Sequence, residues 1–307
     1  MNRPKIYAKS SLSHEQAKVK MDIGCDGLEI QLLGELIEDR FSSKYKYCEQ
    51  AFEIEDFIKY PIEIIHMPLV PGMGDVLLEA LVDDKDVTLL VEVFRLAEYY
   101  AIKQNHNVGI VIHSESFYDK LVDEDVWTKL VDKVKWLLTN YPEVNLIIEN
   151  VSPLRGIGKG KALHLANNFA FDNVEMVTNL RRDTGISRIY TCLDTCHAML
   201  ADKYISIMYD AVGDVPKEDL SLERFFEENV DVIGLIHLSN INGSGYGKGR
   251  HGVPFEEDTY YKLKFILDLY YKYNYTCPIT LEVEEIDYST CDGYRKTREL
   301  VESYFIK

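Results

Sequence analysis

Short runs of apolar and β-branched residues alternate with longer stretches of helical periodicity from one end of the chain to the other. Eight strands are predicted, at Ile6–Lys9, Gly27–Leu32, Ile62–His66, Val108–His113, Val144–Asn150, Arg188–Asp194, Val232–Leu238 and Pro278–Glu284. Between them the apolar spacing is that of amphipathic helices. Val87–Gln104 carries Leu90, Val91, Phe94, Leu96, Ala97 and Ile102 at helical intervals. Ser13-His-Glu-Gln16 has the spacing of a capping box and predicts a helix start. Asp123–Thr139 is closed by Asn-Tyr-Pro and Asn173–Arg182 by Asp-Thr-Gly, with Glu256–Tyr273 and Gly293–Phe305 completing the series. Strands separated by helices pair in parallel through right-handed crossovers. Eight such units without a Pro/Gly/Ser-rich linker predict one closed α/β (β/α)8 TIM barrel over residues 1–307, with a doubly wound sheet as the other fold of this pattern.

Composition narrows the reading. The length of 307 residues would also suit two domains, but α/β barrels reach it as one. A net charge of −17 weighs against a nonspecific polyanion binder and so against nucleic acid as a partner. No apolar run has the length of a membrane span, and no apolar segment follows the basic start, so no signal peptide is expected. The six cysteines are scattered without a CxxC pair and read as reduced thiols of a cytoplasmic protein. Cys192, two residues before Asp194, reads as a small filler of the barrel interior.

In such barrels chemistry sits at the C-terminal ends of the strands. Six successive strands end in an imidazole or carboxylate after an apolar run: His66, His113, Glu149, Asp194, His237 and Glu282. Converging carboxylates repel unless a cation neutralises them, and His with Asp/Glu suits Mn²⁺, Zn²⁺, Mg²⁺ or Co²⁺. Glu284, two residues beyond Glu282, offers an alternative on the same strand face. Glu29 reads as a polar residue of the barrel layer, and His14, His106 and His164 as solvated. The glycine-rich loop 242–252 holds Lys248, Arg250 and His251, groups suited to phosphate or sugar oxygens. Gly156–Lys161 lacks the spacing of a phosphate-binding loop and reads as a mobile loop. Tyr260-Tyr261 and Tyr270-Tyr271 read as covering helix faces, with a homodimer contact among their uses.

These residues give the chain a family resemblance. Leu193-Asp-Thr-Cys-His197 after a strand, with Ile148-Glu-Asn150, Ile236-His-Leu238 and Leu281-Glu282 in order, resembles the xylose isomerase-like TIM-barrel superfamily. That superfamily joins sugar and sugar-phosphate isomerases and epimerases with endonuclease IV-type abasic-site nucleases. By the resemblance, Glu149, Asp194, His237 and Glu282 hold a divalent metal, Glu149 and Glu282 do acid/base work, and His197 contacts substrate oxygen. The reaction implied is proton transfer beside the carbonyl of an open-chain sugar or sugar phosphate, through a metal-stabilised enediolate. Two departures set the chain apart from the ketose-epimerase branch: Arg155 replaces a Glu after the fifth-strand ligand, and Asn240-Ile-Asn-Gly243 runs where that branch has an Arg.

The endonuclease IV comparison implies a different count of ions. Its three zinc ions are held by nine side chains, and eight of the nine positions match here. His66 and His113 fall with Glu149 at the first zinc, and His197 and His251 at the third, where the missing ligand is Gly249. Leu69 stands where those nucleases carry an aromatic used at DNA. One ion is expected of an isomerase, and two or three zinc ions of a zinc-dependent phosphodiester hydrolase. A barrel that binds a sugar or metal without turnover is the third class considered.

Overall fold

The computed structural model describes residues 3–33, 55–70, 74–75, 87–113, 124–151, 170–203, 221–241 and 251–306. Eight parallel strands close on themselves: β1 (Ile6–Ser10), β2 (Gly27–Leu33), β3 (Ile62–Val70), β4 (Val108–His113), β5 (Val144–Glu149), β6 (Ile189–Asp194), β7 (Ile233–Leu238) and β8 (Ile279–Leu281). Each pairs with the next, and β8 pairs with β1 through Ile6↔Ile279 and Ala8↔Leu281. The barrel is therefore closed, as the strand–helix alternation predicts, and the doubly wound alternative is set aside. A two-residue antiparallel piece, Gly74–Asp75, is added at the end of β3.

Eight helices are present among the described residues: α1 (His14–Ile23), α2 (Val87–Gln104), α3 (Glu124–Asn140), α4 (Ala170–Thr184), α5 (Thr195–Lys203), α6 (Leu222–Glu228), α7 (Tyr260–Lys272) and α8 (Asp292–Phe305). Ser13 caps α1 by accepting from the Gln16 N–H, and Gly24 ends it in the left-handed region. The box is only half formed, because the Gln16 side chain accepts from the Ser11 N–H instead of reaching Ser13. On α2, Leu90, Val93, Phe94, Leu96, Ala97, Tyr100 and Ala101 are buried, whereas Ile102 faces solvent, one position beyond the apolar stripe. Tyr270 is core, its hydroxyl donating to the Cys277 carbonyl, while Tyr261 is exposed. Among the described residues no helix is long and apolar enough to cross a membrane.

Two layers inside the barrel position the site. Tyr7, Ile64, Val111, Ile147, Cys192 and Leu235 form one apolar cluster across the interior. Two residues further along the same strands, on the same inward face, stand Lys9, His66, His113, Glu149, Asp194 and His237. The polar layer thus rests on an apolar floor, in which Cys192 is a filler as its position predicts.

Candidate metal centre

Glu149 is the hub. It lies at the end of β5, almost fully buried, in register with His113 on β4. Its Oε2 is 3.1 Å from His66 Nε2 and 3.2 Å from His113 Nε2. Its Oε1 is 3.4 Å from His237 Nδ1 and 3.5 Å from His197 Nδ1. Burial alone would raise this carboxyl, but the His237 and His113 rings hold it well below the usual carboxylate range.

Asp194, at the end of β6, is held by the segment that follows. The helix α5 starts at once, and the His197 N–H donates 2.7 Å to Asp194 Oδ1 in its first turn. Asn150 clamps the backbone of Asp194 from the next strand: Oδ1 accepts its N–H at 2.7 Å, and Nδ2 donates to its carbonyl at 3.2 Å. Oδ2 remains, facing His251 Nε2 at 3.1 Å. His251 is delivered by Gly252, whose φ of 77° lies in the left-handed region and whose carbonyl accepts from the Glu284 N–H. Glu282 enters from just past β8, with Oε2 3.0 Å from His237 Nδ1. Glu284 is held outside this group by that loop contact, so Glu282 is the residue brought to the cluster.

His66 and His237 share one arrangement, while in His197 the nitrogen tied to backbone is also the one nearest Glu149. His197 Nδ1–H donates to the Asn150 carbonyl at 2.8 Å, leaving Nε2 with its lone pair. His66 Nδ1 lies 3.0 Å from the Met67 carbonyl, which can only accept, and Nε2 faces Glu149. His237 turns Nε2 to Glu29 Oε2 at 2.9 Å and aims Nδ1 at Glu149 and Glu282. An outer acceptor fixing the ring while the inner nitrogen faces carboxylates is the outer-shell pattern of metal-ligating histidine.

Glu29 is a residue that sequence reasoning assigned only to the barrel layer, yet it is completely buried against His237. Its signal was faint: a lone inward carboxylate on the β2 pattern Gly27-Leu-Glu-Ile30. Lys9, on the adjacent β1 in register with Glu29, was missed altogether. Its Nζ lies 2.6 Å from Glu282 Oε1 and 3.6 Å from Glu29 Oε1. Burial opposes its charge, but Glu282, Glu29 and Glu149 more than offset this and keep it an ammonium.

The donor set fits a divalent ion. The ligand atoms of Glu149, Asp194, His237 and Glu282 all lie within 4.8 Å of one another, and those of His66, His113 and Glu149 form a second such group. His237 Nδ1 and Glu282 Oε2 are buried and face each other without hydrogen-bond geometry. With Nε2–H given to Glu29, Nδ1 faces the carboxylate through either a proton or, in its place, a shared cation. Cys192 and Cys196 also lie within ligand distance of these groups, and burial pushes both thiols above their ordinary pKa, which favours the carboxylates and imidazoles as ligands.

Replacing Glu29 with Gln should leave the barrel folded and weaken divalent-metal affinity by about 10–100-fold, the usual effect of losing such an outer partner. Competition against a chromophoric chelator measures it, and unchanged affinity would remove Glu29 from the centre. Protons also compete for these nitrogens. Burial opposes the charge of His251, yet Glu282 and Asp194 bring its pKa up to about 9, and the carboxylates around His237 hold it high against the same burial. Metal must displace those protons, so affinity should rise between pH 6 and about pH 9. A flat profile over that range would mean neither ring is a ligand.

Lys248 and Arg250 lie outside the described residues, as do Arg155, Gly249 and the loop Gly156–Lys161. His106 is half-buried and not simply solvated, with Nε2 3.1 Å from the carbonyl of Ile62 at the start of β3, the end of that strand away from the centre. A cavity of about 370 Å³ opens beside the cluster, lined by Lys9, Gln31, His251, Glu282 and Glu284 among others.

No protein-family model matches the chain, and no curated protein matches its sequence. Solved structures do match its fold. The 3-keto-D-glucoside 4-epimerase of E. coli superposes with a TM-score of 0.57 at 13% identity, covering 98% of this chain and all of that one. A D-tagatose 3-epimerase-like protein gives 0.57 at 15% identity, over 98% of this chain and 97% of that one. An L-ribulose 3-epimerase gives 0.53 at 15%, over 100% and 96%. The chain shares the (β/α)8 barrel fold of these sugar epimerases. At these identities the likeness carries the architecture of that fold and leaves the chemistry to the side chains.

Proposed function

We propose that this xylose isomerase-like barrel is a divalent-metal-dependent sugar or sugar-phosphate isomerase/epimerase. One observation carries the reading: Glu149 from β5 and Glu282 from β8 both meet His237 Nδ1, at 3.4 and 3.0 Å. These strands are three apart around the barrel, so the two carboxylates approach a common centre from different sides. A divalent ion bound there supplies a Lewis acid for the carbonyl and neighbouring hydroxyl oxygens of an open-chain sugar. Glu149 and Glu282 serve as the pair that takes a carbon-bound proton and returns it. His197 orients a substrate hydroxyl through Nε2, its other nitrogen being tied to Asn150. The apolar floor excludes water beneath the reacting carbon and strengthens each charge interaction above it. The neighbouring cavity has the size of a small-ligand site. The epimerases that share the fold are in keeping with this reading.

A second reading, a zinc-dependent phosphodiester hydrolase of endonuclease IV type, is favoured by His66 and His113. Both place Nε2 against Glu149 Oε2, the oxygen turned away from His237, so His66, His113 and Glu149 would hold a further ion beside the first. Elemental analysis of protein purified without added metal or chelator separates the two. One ion per chain, with deuterium from solvent entering a ketose or ketose phosphate at the carbon next to the carbonyl, supports the isomerase. Two or three zinc ions, no exchange, and a His66→Ala variant that loses an ion together with phosphodiester cleavage would overturn it.

A further inference from the structure

Resting on the isomerase reading, we propose that Lys9 is a catalytic residue of this site, an electrophile that contacts the substrate oxygen on which negative charge develops. Four groups form a closed ring: Lys9 Nζ to Glu282 (2.6 Å), Glu282 to His237 (3.0 Å), His237 to Glu29 (2.9 Å) and Glu29 to Lys9 (3.6 Å). A lysine is costly to bury, and the side chain here is only 11% exposed. Its location is specific: Lys9 lines the cavity beside the cluster together with Glu282 and His251. An ammonium has three N–H donors. Glu282 Oε1 takes one, and Glu29 Oε1, at 3.6 Å, is an ion-pair neighbour without a hydrogen bond. Among the described residues no other acceptor takes a hydrogen bond from this ammonium, so at least one donor is left for a group in the cavity.

The chemistry calls for such a donor. When a carboxylate takes the proton beside a carbonyl, the C–H electron pair moves into a carbon–carbon double bond and the carbonyl oxygen gains the negative charge. A fixed ammonium within reach stabilises that charge without accepting or losing a proton, and a charge-assisted hydrogen bond is stronger for the anion than for the neutral carbonyl. Lys9 also repels a cation at the neighbouring ligands, so a role confined to metal retention is the opposite of what its charge does.

The test uses the full-length protein loaded with Mn²⁺, with Lys9→Met and Lys9→Arg variants, and reads binding by water-proton relaxation. The probes are acetohydroxamate, whose ionised form has the planar two-oxygen anionic geometry of an enediolate, and dihydroxyacetone, a neutral ketose. Lys9→Met should bind Mn²⁺ at least as tightly as the parent and dihydroxyacetone only slightly more weakly. It should bind acetohydroxamate about tenfold or more weakly. Lys9→Arg keeps the charge and should restore much of that loss. Weakened Mn²⁺ binding in Lys9→Met would make Lys9 a positioning residue for Glu282 and overturn the proposal, as would unchanged acetohydroxamate binding. If the parent protein, loaded with Mn²⁺, binds neither probe, the isomerase reading fails and this one with it.

Discussion

Asp194→Asn should abolish tight divalent-metal binding while the barrel stays folded. The substitution keeps shape and volume. Asn Oδ1 still accepts the His197 N–H that starts α5, and the backbone of residue 194 is clamped independently by Asn150. What disappears is the negative charge on the oxygen that faces His251 and the shared centre. A neutral amide is a poor ligand beside three other anionic or imidazole donors, and its NH₂ would point at the ion. The loss should exceed the ~100-fold that removal of an outer-shell partner costs. Elemental analysis after dialysis against a weak chelator measures it, with circular dichroism as the control for folding. His237→Ala should lose metal as completely, but with an added stability cost, because Glu29 is then left buried without its partner. Full metal occupancy in both variants would show that the centre lies elsewhere.

Glu149→Gln should slow proton transfer by about 10²–10⁴-fold. Glu149 is the residue on which four histidines converge, and no other carboxylate reaches both His66 and His113 at hydrogen-bond distance among the described residues. Removing a general base costs about 10²–10⁴ in rate. Because the same carboxylate is a candidate ligand, metal affinity should fall as well, so exchange is to be measured at saturating Mn²⁺. A variant that exchanges solvent deuterium into substrate at the parental rate would transfer the base role away from Glu149. Sugar binding that persists unchanged, in a parent protein that itself shows no turnover, would favour the non-catalytic barrel.

Much of this centre is written along the strands. An apolar run ending in His or a carboxylate, six times in succession, places four of those residues at or next to a strand's C-terminal end. β3 runs on to Val70 past His66, Glu282 lies one residue beyond its strand, and the period of two gives the inward face. Asp194-Thr-Cys-His197 adds the spacing that lets a strand pass directly into a helix, with a carboxylate accepting from that helix's first turn. Glu282 against Glu284 was a choice the period of two could not make, since both share a face. The structure makes it by ending β8 at Leu281 and tying the Glu284 N–H to Gly252.

Sequence alone thus determined the barrel and the residues of its polar rim, because both follow from local periodicity. Tertiary structure decided their partners: Glu29 against His237, 208 positions away, and Lys9 against Glu282, 273 positions away. Those pairings exist only once β8 closes onto β1 and the register sets Lys9 beside Glu29. A one-dimensional pattern tells which way a side chain points from its own strand. Which charge it meets depends on how the sheet curls and where it joins, and that is fixed by the packing of the whole barrel.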